Sequence, residues 1–370
     1  MEKAPFKIQV PGEQLEDLAR RLAATTWSHE YANEDWRYGV SGTYLRELVD
    51  YWQNHYDWRS VERTMNRYSH YRATLSGIPI HFIHEPGKGP APRPLILSHG
   101  WPMTFWDMSR LIGPLTDPAA YGADPNESFD VIVPSLPGFG FSSPLTRPGV
   151  NFWETADLWV ELMNGLGYRR FFAHGGDWGS LITSQLGHRY PQQVIAIHQT
   201  SAPALDRHCN SPTPWQVDLR RAAVHVATSM IDPQTLAWAM HDSPVGMLAW
   251  LLERRRSWSD CDGDVEACFS KDDLLTGVMI YWLTDTFVTS IRYYYEANAN
   301  PWTPDRVEWP VVPVPTGLTF FEHENVWTQP YHERYYNLVY SRNARQGGHF
   351  GAWEQAEIVV EDIRTTFRDR

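Results

Sequence analysis

At 370 residues the chain exceeds one minimal domain and suits a large α/β domain carrying an insertion. A formal charge of −12 argues against nucleic acid or an anionic membrane as the main partner. Cys209, Cys261 and Cys268 form no disulfide framework, no signal-peptide pattern opens the chain and no apolar run reaches roughly 18 residues, so a soluble cytoplasmic protein is expected.

Residues 1–75 are polar, aromatic and mainly helical in pattern. Leu15, Leu18 and Leu22 share one helical face, and a second helix is expected over 43–55 with Leu45, Leu48, Val49 and Trp52 apolar. Neither helix carries obvious chemistry. Between 70 and 85 the pattern turns to strands, with Ile78, Ile80 and Phe82 alternating with Pro79 and His81. His81 and His84 are three apart on a strand and face opposite ways, so they read as structural rather than as metal ligands.

Leu95, Ile96 and Leu97 form a buried strand that runs at once into Ser98-His99-Gly100-Trp101-Pro102. Upstream of a catalytic turn, a strand ending in His-Gly-x-Pro is where hydrolases place half of an oxyanion hole, from the backbone N–H of the residue after glycine. A further strand, 131–134, leads to a loop with Gly138 and Gly140. The third glycine of a dinucleotide fingerprint and a phosphate-loop lysine are both missing, so no nucleotide cofactor is indicated.

After a helix expected over 153–166, Phe171, Phe172 and Ala173 read as a strand. Gly175, Gly176 and Gly179 then bracket Asp177, and an apolar helical stripe opens at Leu181. Strand, glycine-rich turn and helix make a nucleophile elbow with aspartate where serine is usual. A carboxylate is ionised at neutral pH and needs no base in order to attack, but its alkyl ester must be cleaved in a second step. On this turn alone, a nucleophile and a helix N-cap are equally good readings.

Residues 203–305 lose the strand–helix alternation and read as mainly helical. Asp260, Asp262 and Asp264 imitate the start of a calcium loop, but Gly263 is misplaced and Lys271 stands where the closing glutamate belongs. The stretch reads as a solvated loop. The aromatic run over 280–295 is by default core. Strand pattern returns over 310–321, followed by Glu322-His323-Glu324, a last strand at 338–340, the loop holding His349 and a final helix beginning near Trp353. Asp177, an acid near 324 and His349 follow the α/β-hydrolase chain order of nucleophile, acid and histidine.

Taken together, these segments resemble the microsomal-type epoxide hydrolases over nearly the whole chain. The resemblance rests on Phe6-Lys7-Ile8-Gln9-Val10-Pro11, His99-Gly100-Trp101-Pro102, Gly175-Gly176-Asp177-Trp178-Gly179, Val314-Pro315-Thr316-Gly317 and Gly348-His349-Phe350. It rests also on Asp242-Ser243-Pro244-Val245-Gly246 and on Asp272-Asp273-Leu274-Leu275-Thr276. It implies Glu324 as the relay acid, ten residues after Val314, with Glu322 as competitor. It implies Tyr294 as the proton donor to the epoxide oxygen, through Arg292-Tyr293-Tyr294-Tyr295-Glu296. The family's second lid tyrosine falls on His225, a departure that leaves His225, Trp238 and Tyr281 as candidates for the second donor.

The expected architecture is an α/β-hydrolase fold with an N-terminal helical arm over 1–85. Core follows over 86–202, a helical lid over 203–305 and core again over 306–370. Asp177 would attack the epoxide, His349 with Glu324 would activate the hydrolytic water, and the backbone N–H groups of Trp101 and Trp178 would hold the oxyanion, with Trp178 also lining the pocket. The expected partner is a small-molecule epoxide, with a homodimer as the candidate assembly and neither metal nor organic cofactor. The family members from animals carry a membrane anchor ahead of this region; the resemblance here is to a soluble bacterial relative. Such relatives occur in secondary-metabolite routes, including enediyne biosynthesis, which makes a bulky aryl epoxide the expected substrate class. A haloalkane dehalogenase, a serine esterase using Ser180 and a non-enzymatic binding protein on the same fold are the competing readings.

Overall fold

Among the described residues nine strands build one sheet in the order β1-β2-β3-β5-β4-β6-β7-β8-β9. They are β1 Lys3–Pro5, β2 His70–Leu75, β3 Ile78–Glu85, β4 Arg93–Ser98, β5 Phe129–Pro134, β6 Phe171–Gly175, β7 Val194–Gln199, β8 Val312–Phe321 and β9 Tyr336–Ala344. The computed structural model describes residues 1–202, 205, 229, 231–324 and 329–370. From β1 to β5 the neighbours pair antiparallel; from β5 onward they are parallel. The parallel strands are near-continuous apolar runs because both of their faces are covered: Leu95, Ile96 and Leu97 of β4 and Val131, Ile132 and Val133 of β5 are fully buried.

Residues 1–85 are more than a helical arm. Their strands β1, β2 and β3 continue the central sheet. Helices α1 Gly12–Ala23 and α2 Gly42–Asn54 bury Leu18 and Leu22, and Leu48, Val49 and Trp52, as the periodicity predicts. His81 bonds His70 at 2.8 Å and Ser135 at 2.9 Å inside this packing, which accounts for it structurally.

Helices α3 Trp58–Met65, α4 Ser109–Thr116, α5 Phe152–Gly165 and α6 Trp178–Arg189 follow in the chain before β7. Between β7 and β8 the described chain forms α7 Pro233–Asp242, α8 Pro244–Trp258, α9 Lys271–Thr284 and α10 Phe287–Ala299, and contributes no strand to the sheet. Among the described residues no single helix is long and apolar enough to cross a membrane. The bent pair Lys271–Thr284 and Phe287–Ala299 passes on length and composition, but its apolar side chains are used in packing: Leu275, Ile280, Tyr281, Ile291 and Tyr293 are all buried. The parallel strands end under these helices, and the β4, β6 and β9 loops meet there. That is where ligands bind in open α/β sheets.

Candidate active site

The turn after β6 is shaped by the absence of side chains. A Cβ on Gly175 would lie 2.1 Å from the Gly179 carbonyl oxygen, and one on Gly179 would lie 2.0 Å from that of Ser98. Strand, turn and the helix Trp178–Arg189 can therefore close only with hydrogen at those positions. Asp177 sits at the apex with φ +54° and ψ −123°, a strained conformation for a residue with a side chain. Its carboxylate makes no cap bond to the helix. Oδ1 instead accepts the Trp101 N–H at 2.7 Å, and the Trp178 N–H also donates to the carboxylate.

Trp101 is brought there by the loop after β4. A Cβ on Gly100 would lie 2.2 Å from Asp177 Oδ1, so the close approach requires glycine. His99 holds the loop from beneath. Its Nδ1–H donates to the Gly100 carbonyl at 2.9 Å while Nε2 accepts the Leu136 N–H at 3.1 Å. The ring is thereby neutral, and burial lowers its pKa to about 4.

Across the turn, His349 Nε2 lies 3.6 Å from Asp177 Oδ2, and Nδ1 lies 2.7 Å from Glu324 Oε1. Glu322 occupies the exposed turn after β8, and no bond of its side chain to His349 is seen. Burial alone would depress the imidazolium, but the charge and hydrogen bond of Glu324, with the Asp177 carboxylate, outweigh it and raise His349 to about 9. Burial also raises Asp177, opposed by the His349 charge and by the two backbone N–H donors.

Tyr294 comes from α10. It is buried edge-on against Trp178 at 4.7 Å and Trp101 at 6.0 Å between ring centroids. Burial, then the nearby Asp177 carboxylate, hold its phenol far above the usual value, so it is a neutral O–H at any working pH. Trp258 completes the enclosure, edge-on to Trp101 at 6.1 Å and to His349 at 4.9 Å. Tyr293 packs on Trp178 at 5.2 Å, with its hydroxyl 2.7 Å from Thr155.

Of the candidates for the second donor, Trp238 is placed away from the site and Tyr281 lies near it with its hydroxyl engaged. Trp238 is 68 % exposed and lines a surface cleft of about 560 Å³ with Asp17, Arg21, Trp282 and Phe287, between α1 and the inserted helices. Tyr281 is buried near the site, but its hydroxyl donates to the Met103 carbonyl at 2.6 Å, which anchors α9 to the β4 loop and commits its proton. His225 lies outside the described residues. The Asp260 loop is not simply solvated: Asp260 Oδ2 accepts the Gly347 N–H at 2.9 Å. Sequence reading also missed Trp258, which has no local signal, and the buried pair of Asp107 and Arg255 at 2.7 Å. Arg255 further reaches the Pro102 carbonyl and ties α8 to the oxyanion loop. Among the described residues no cluster of metal-ligating side chains occurs.

Two family patterns match the chain: "Epoxide hydrolase N terminus" over residues 3–108 and "alpha/beta hydrolase fold" over 93–230. A provisionally named epoxide hydrolase of Stigmatella aurantiaca is 38% identical over 98% of this chain and 84% of that protein. Epoxide hydrolase 1 of Oryctolagus cuniculus is 32% identical over 97% of this chain and 87% of its own length. The crystal structure of juvenile hormone epoxide hydrolase from Bombyx mori superposes with a TM-score of 0.85 at 27% identity, covering 99% of this chain and 93% of that one.

Proposed function

This chain belongs to the epoxide hydrolases of α/β-hydrolase fold, and from that premise we propose that it opens its epoxide through a covalent ester on Asp177. One observation carries the reading. A single carboxylate has Oδ1 held by the Trp101 N–H and Oδ2 facing His349, and the buried Tyr294 phenol lies close enough to feel its charge.

In the first step Asp177 Oδ2 attacks an epoxide carbon and the C–O bond breaks. The released oxygen takes the Tyr294 proton, which leaves a hydroxyalkyl ester and a phenolate. The strain at Asp177 is useful here, because the elbow presents the carboxylate clear of its own helix. Alkylation then removes the Asp177 charge, one of the influences that raise His349, so the imidazolium releases its proton more readily; that proton makes good the one Tyr294 gave, and His349 becomes a base. His349 takes a proton from water, and the hydroxide attacks the Asp177 carbonyl carbon. The N–H groups of Trp101 and Trp178 steady the oxyanion at Oδ1, and Glu324 steadies the imidazolium. Collapse frees the diol, whose leaving oxygen takes the proton of the added hydroxide, and the proton taken from water restores the His349 imidazolium. The sum is one water added.

The walls given by Trp101, Trp178, Trp258 and Tyr294 support a bulky or aryl epoxide, since flat apolar rings fill such a space with large contact area. A biosynthetic setting of enediyne type goes with that substrate class, and the aromatic walls support its aryl part alone.

The test is a trapped intermediate. His349→Ala mixed with styrene oxide should gain the mass of one substrate on the peptide holding Asp177, and the double variant with Asp177→Ala should gain none. Unmutated enzyme in heavy-oxygen water, in a single turnover, should place label in the Asp177 carboxylate. Label confined to the diol, with no adduct, would mean that water attacks the epoxide directly.

A further inference from the structure

The loop that carries His349 is held by acceptors that the catalytic scheme does not use. Glu354, in the short helix Gly351–Glu354, turns its carboxylate back under that loop. Oε2 accepts the N–H of Gly348 at 3.1 Å and Oε1 that of Phe350 at 2.9 Å, so one carboxylate grips the amides on both sides of His349. Oε2 also accepts the N–H of Asp260 at 2.9 Å, from the segment that follows α8. That segment answers in kind. Asp260 Oδ2 accepts the Gly347 N–H, and the Trp258 carbonyl accepts the His349 N–H, each at 2.9 Å. Gly347, Gly348, His349 and Phe350 thus have every amide directed to Glu354 or to the 258–260 segment. A Cβ on Gly348 would lie 2.6 Å from the Trp258 carbonyl oxygen, so the two segments touch at backbone distance.

We propose that Glu354 is a positioning residue for ester hydrolysis: its carboxylate seats the His349 loop against the inserted helices and aims Nε2 at the water that cleaves the Asp177 ester. This rests on the reading of His349 as the base for that step. Epoxide opening needs Asp177 and Tyr294, neither of which Glu354 touches, so the first step should be largely spared.

A glutamine at 354 is close in shape but wrong in chemistry. Its one acceptor oxygen can serve Phe350 or the Gly348 and Asp260 pair, and its NH₂ would face N–H donors on the other side. It also removes a negative charge that acts on His349. The other charged and titratable groups around this loop are Glu324 and Asp177 on the His349 ring and Asp260 with His323 at 3.8 Å. Cys268 lies 3.9 Å from Glu354, Arg255 lies over the Phe350 ring and Arg110 over the Trp353 ring. Cys268 loses the neighbouring Glu354 charge on substitution, while the side chains of the others make no bond to the Glu354 carboxylate.

Single-turnover kinetics with styrene oxide separate the steps. Glu354→Gln should form the Asp177 adduct at close to the unmutated rate and hydrolyse it on the order of 10- to 100-fold more slowly, the size of effect expected from a misplaced group. The acid limb of its hydrolysis step should move to lower pH, because His349 has lost a neighbouring negative charge. Glu354→Asp keeps the charge but is too short for both grips, so it should slow hydrolysis and leave the limb in place. Hydrolysis at the unmutated rate in Glu354→Asp rejects the proposal, even if Glu354→Gln does not fold. Equal slowing of both steps in either variant, with a lowered Tm, also rejects it in favour of a scaffold role. The outcomes are distinguishable from failure of the covalent reading. No adduct in His349→Ala sinks that reading, whereas an adduct there with unimpaired Glu354 variants sinks the Glu354 assignment alone.

Discussion

The two halves of the site are built by different physics. The elbow half, Asp177 with Trp101 and Trp178, is positioned by backbone sterics: glycines at 100, 175 and 179 let two loops and a helix approach to distances that any Cβ would forbid. The opposite half, His349 with Glu324 and Tyr294, is positioned by side-chain bonds: Glu354 from the helix that follows the loop, and Asp260, Tyr281 and the Arg255 and Asp107 pair from distant segments. Hard contacts tolerate almost no change, whereas hydrogen-bonded docking yields by degrees. The elbow half should therefore fail abruptly on substitution and the other half gradually.

The largest effect should come from Gly179→Ala. Its Cβ, 2.0 Å from the Ser98 carbonyl oxygen, must separate helix from strand, and soluble folded protein should be lost. A folded, active Gly179→Ala would break the contrast between the halves. Next, Tyr294→Phe should slow adduct formation by roughly two to four powers of ten while ester hydrolysis stays near its original rate. Rapid-quench measurement of the two steps decides it, and an unchanged alkylation rate would leave Tyr294 as packing.

A third expectation concerns acid and sharpens the picture of the elbow side, where buried histidines brace the strands. Burial holds His99 at about 4 and His174 at about 3, and drives His81 and His198 well below 6.5. Folded values lie below unfolded ones, so between roughly pH 6.5 and 4 the unfolded chain binds more protons and stability must fall as pH falls. Urea midpoints at pH 7.5, 6 and 5 should decline steadily, and His174→Asn should flatten part of the slope. A flat profile over that window would mean these rings are not held neutral.

The smallest effect should be Tyr281→Phe. Loss of the bond to the Met103 carbonyl should cost about 1 kcal/mol of stability and leave alkylation nearly untouched. A large loss of alkylation would instead make Tyr281 a second proton donor and contradict its anchoring role.

Much of this division was readable beforehand. Asp177, its bracketing glycines and the parallel-strand runs are local patterns; the chain order offers an acid near 324, and the family resemblance puts Glu324 ahead of Glu322. The contact of Gly175 with Gly179 closes within four positions, so composition over a dozen positions suffices to reveal the elbow, whereas the contacts of Gly179 with Ser98 and of Gly100 with Asp177 join separate segments. The helices at 15–22 and 43–55 were legible for the same reason, since periodicity is a local property.

What only the tertiary structure decided involves partners far apart in the chain. The Trp101 N–H meets Asp177 across 76 positions, Asp260 meets Gly347 across 87, and Tyr281 meets Met103 across 178. Asp260 looked like part of a failed calcium loop, and Glu354 gave no local sign of any role. Trp238 looked like a pocket wall and proved to be exposed surface. An acidic or aromatic side chain has the same local signature whether it binds substrate, braces a loop or meets water. Its role is set by which donors and rings the fold brings within about 3 to 6 Å, and that is a property of the packed chain rather than of any stretch of it.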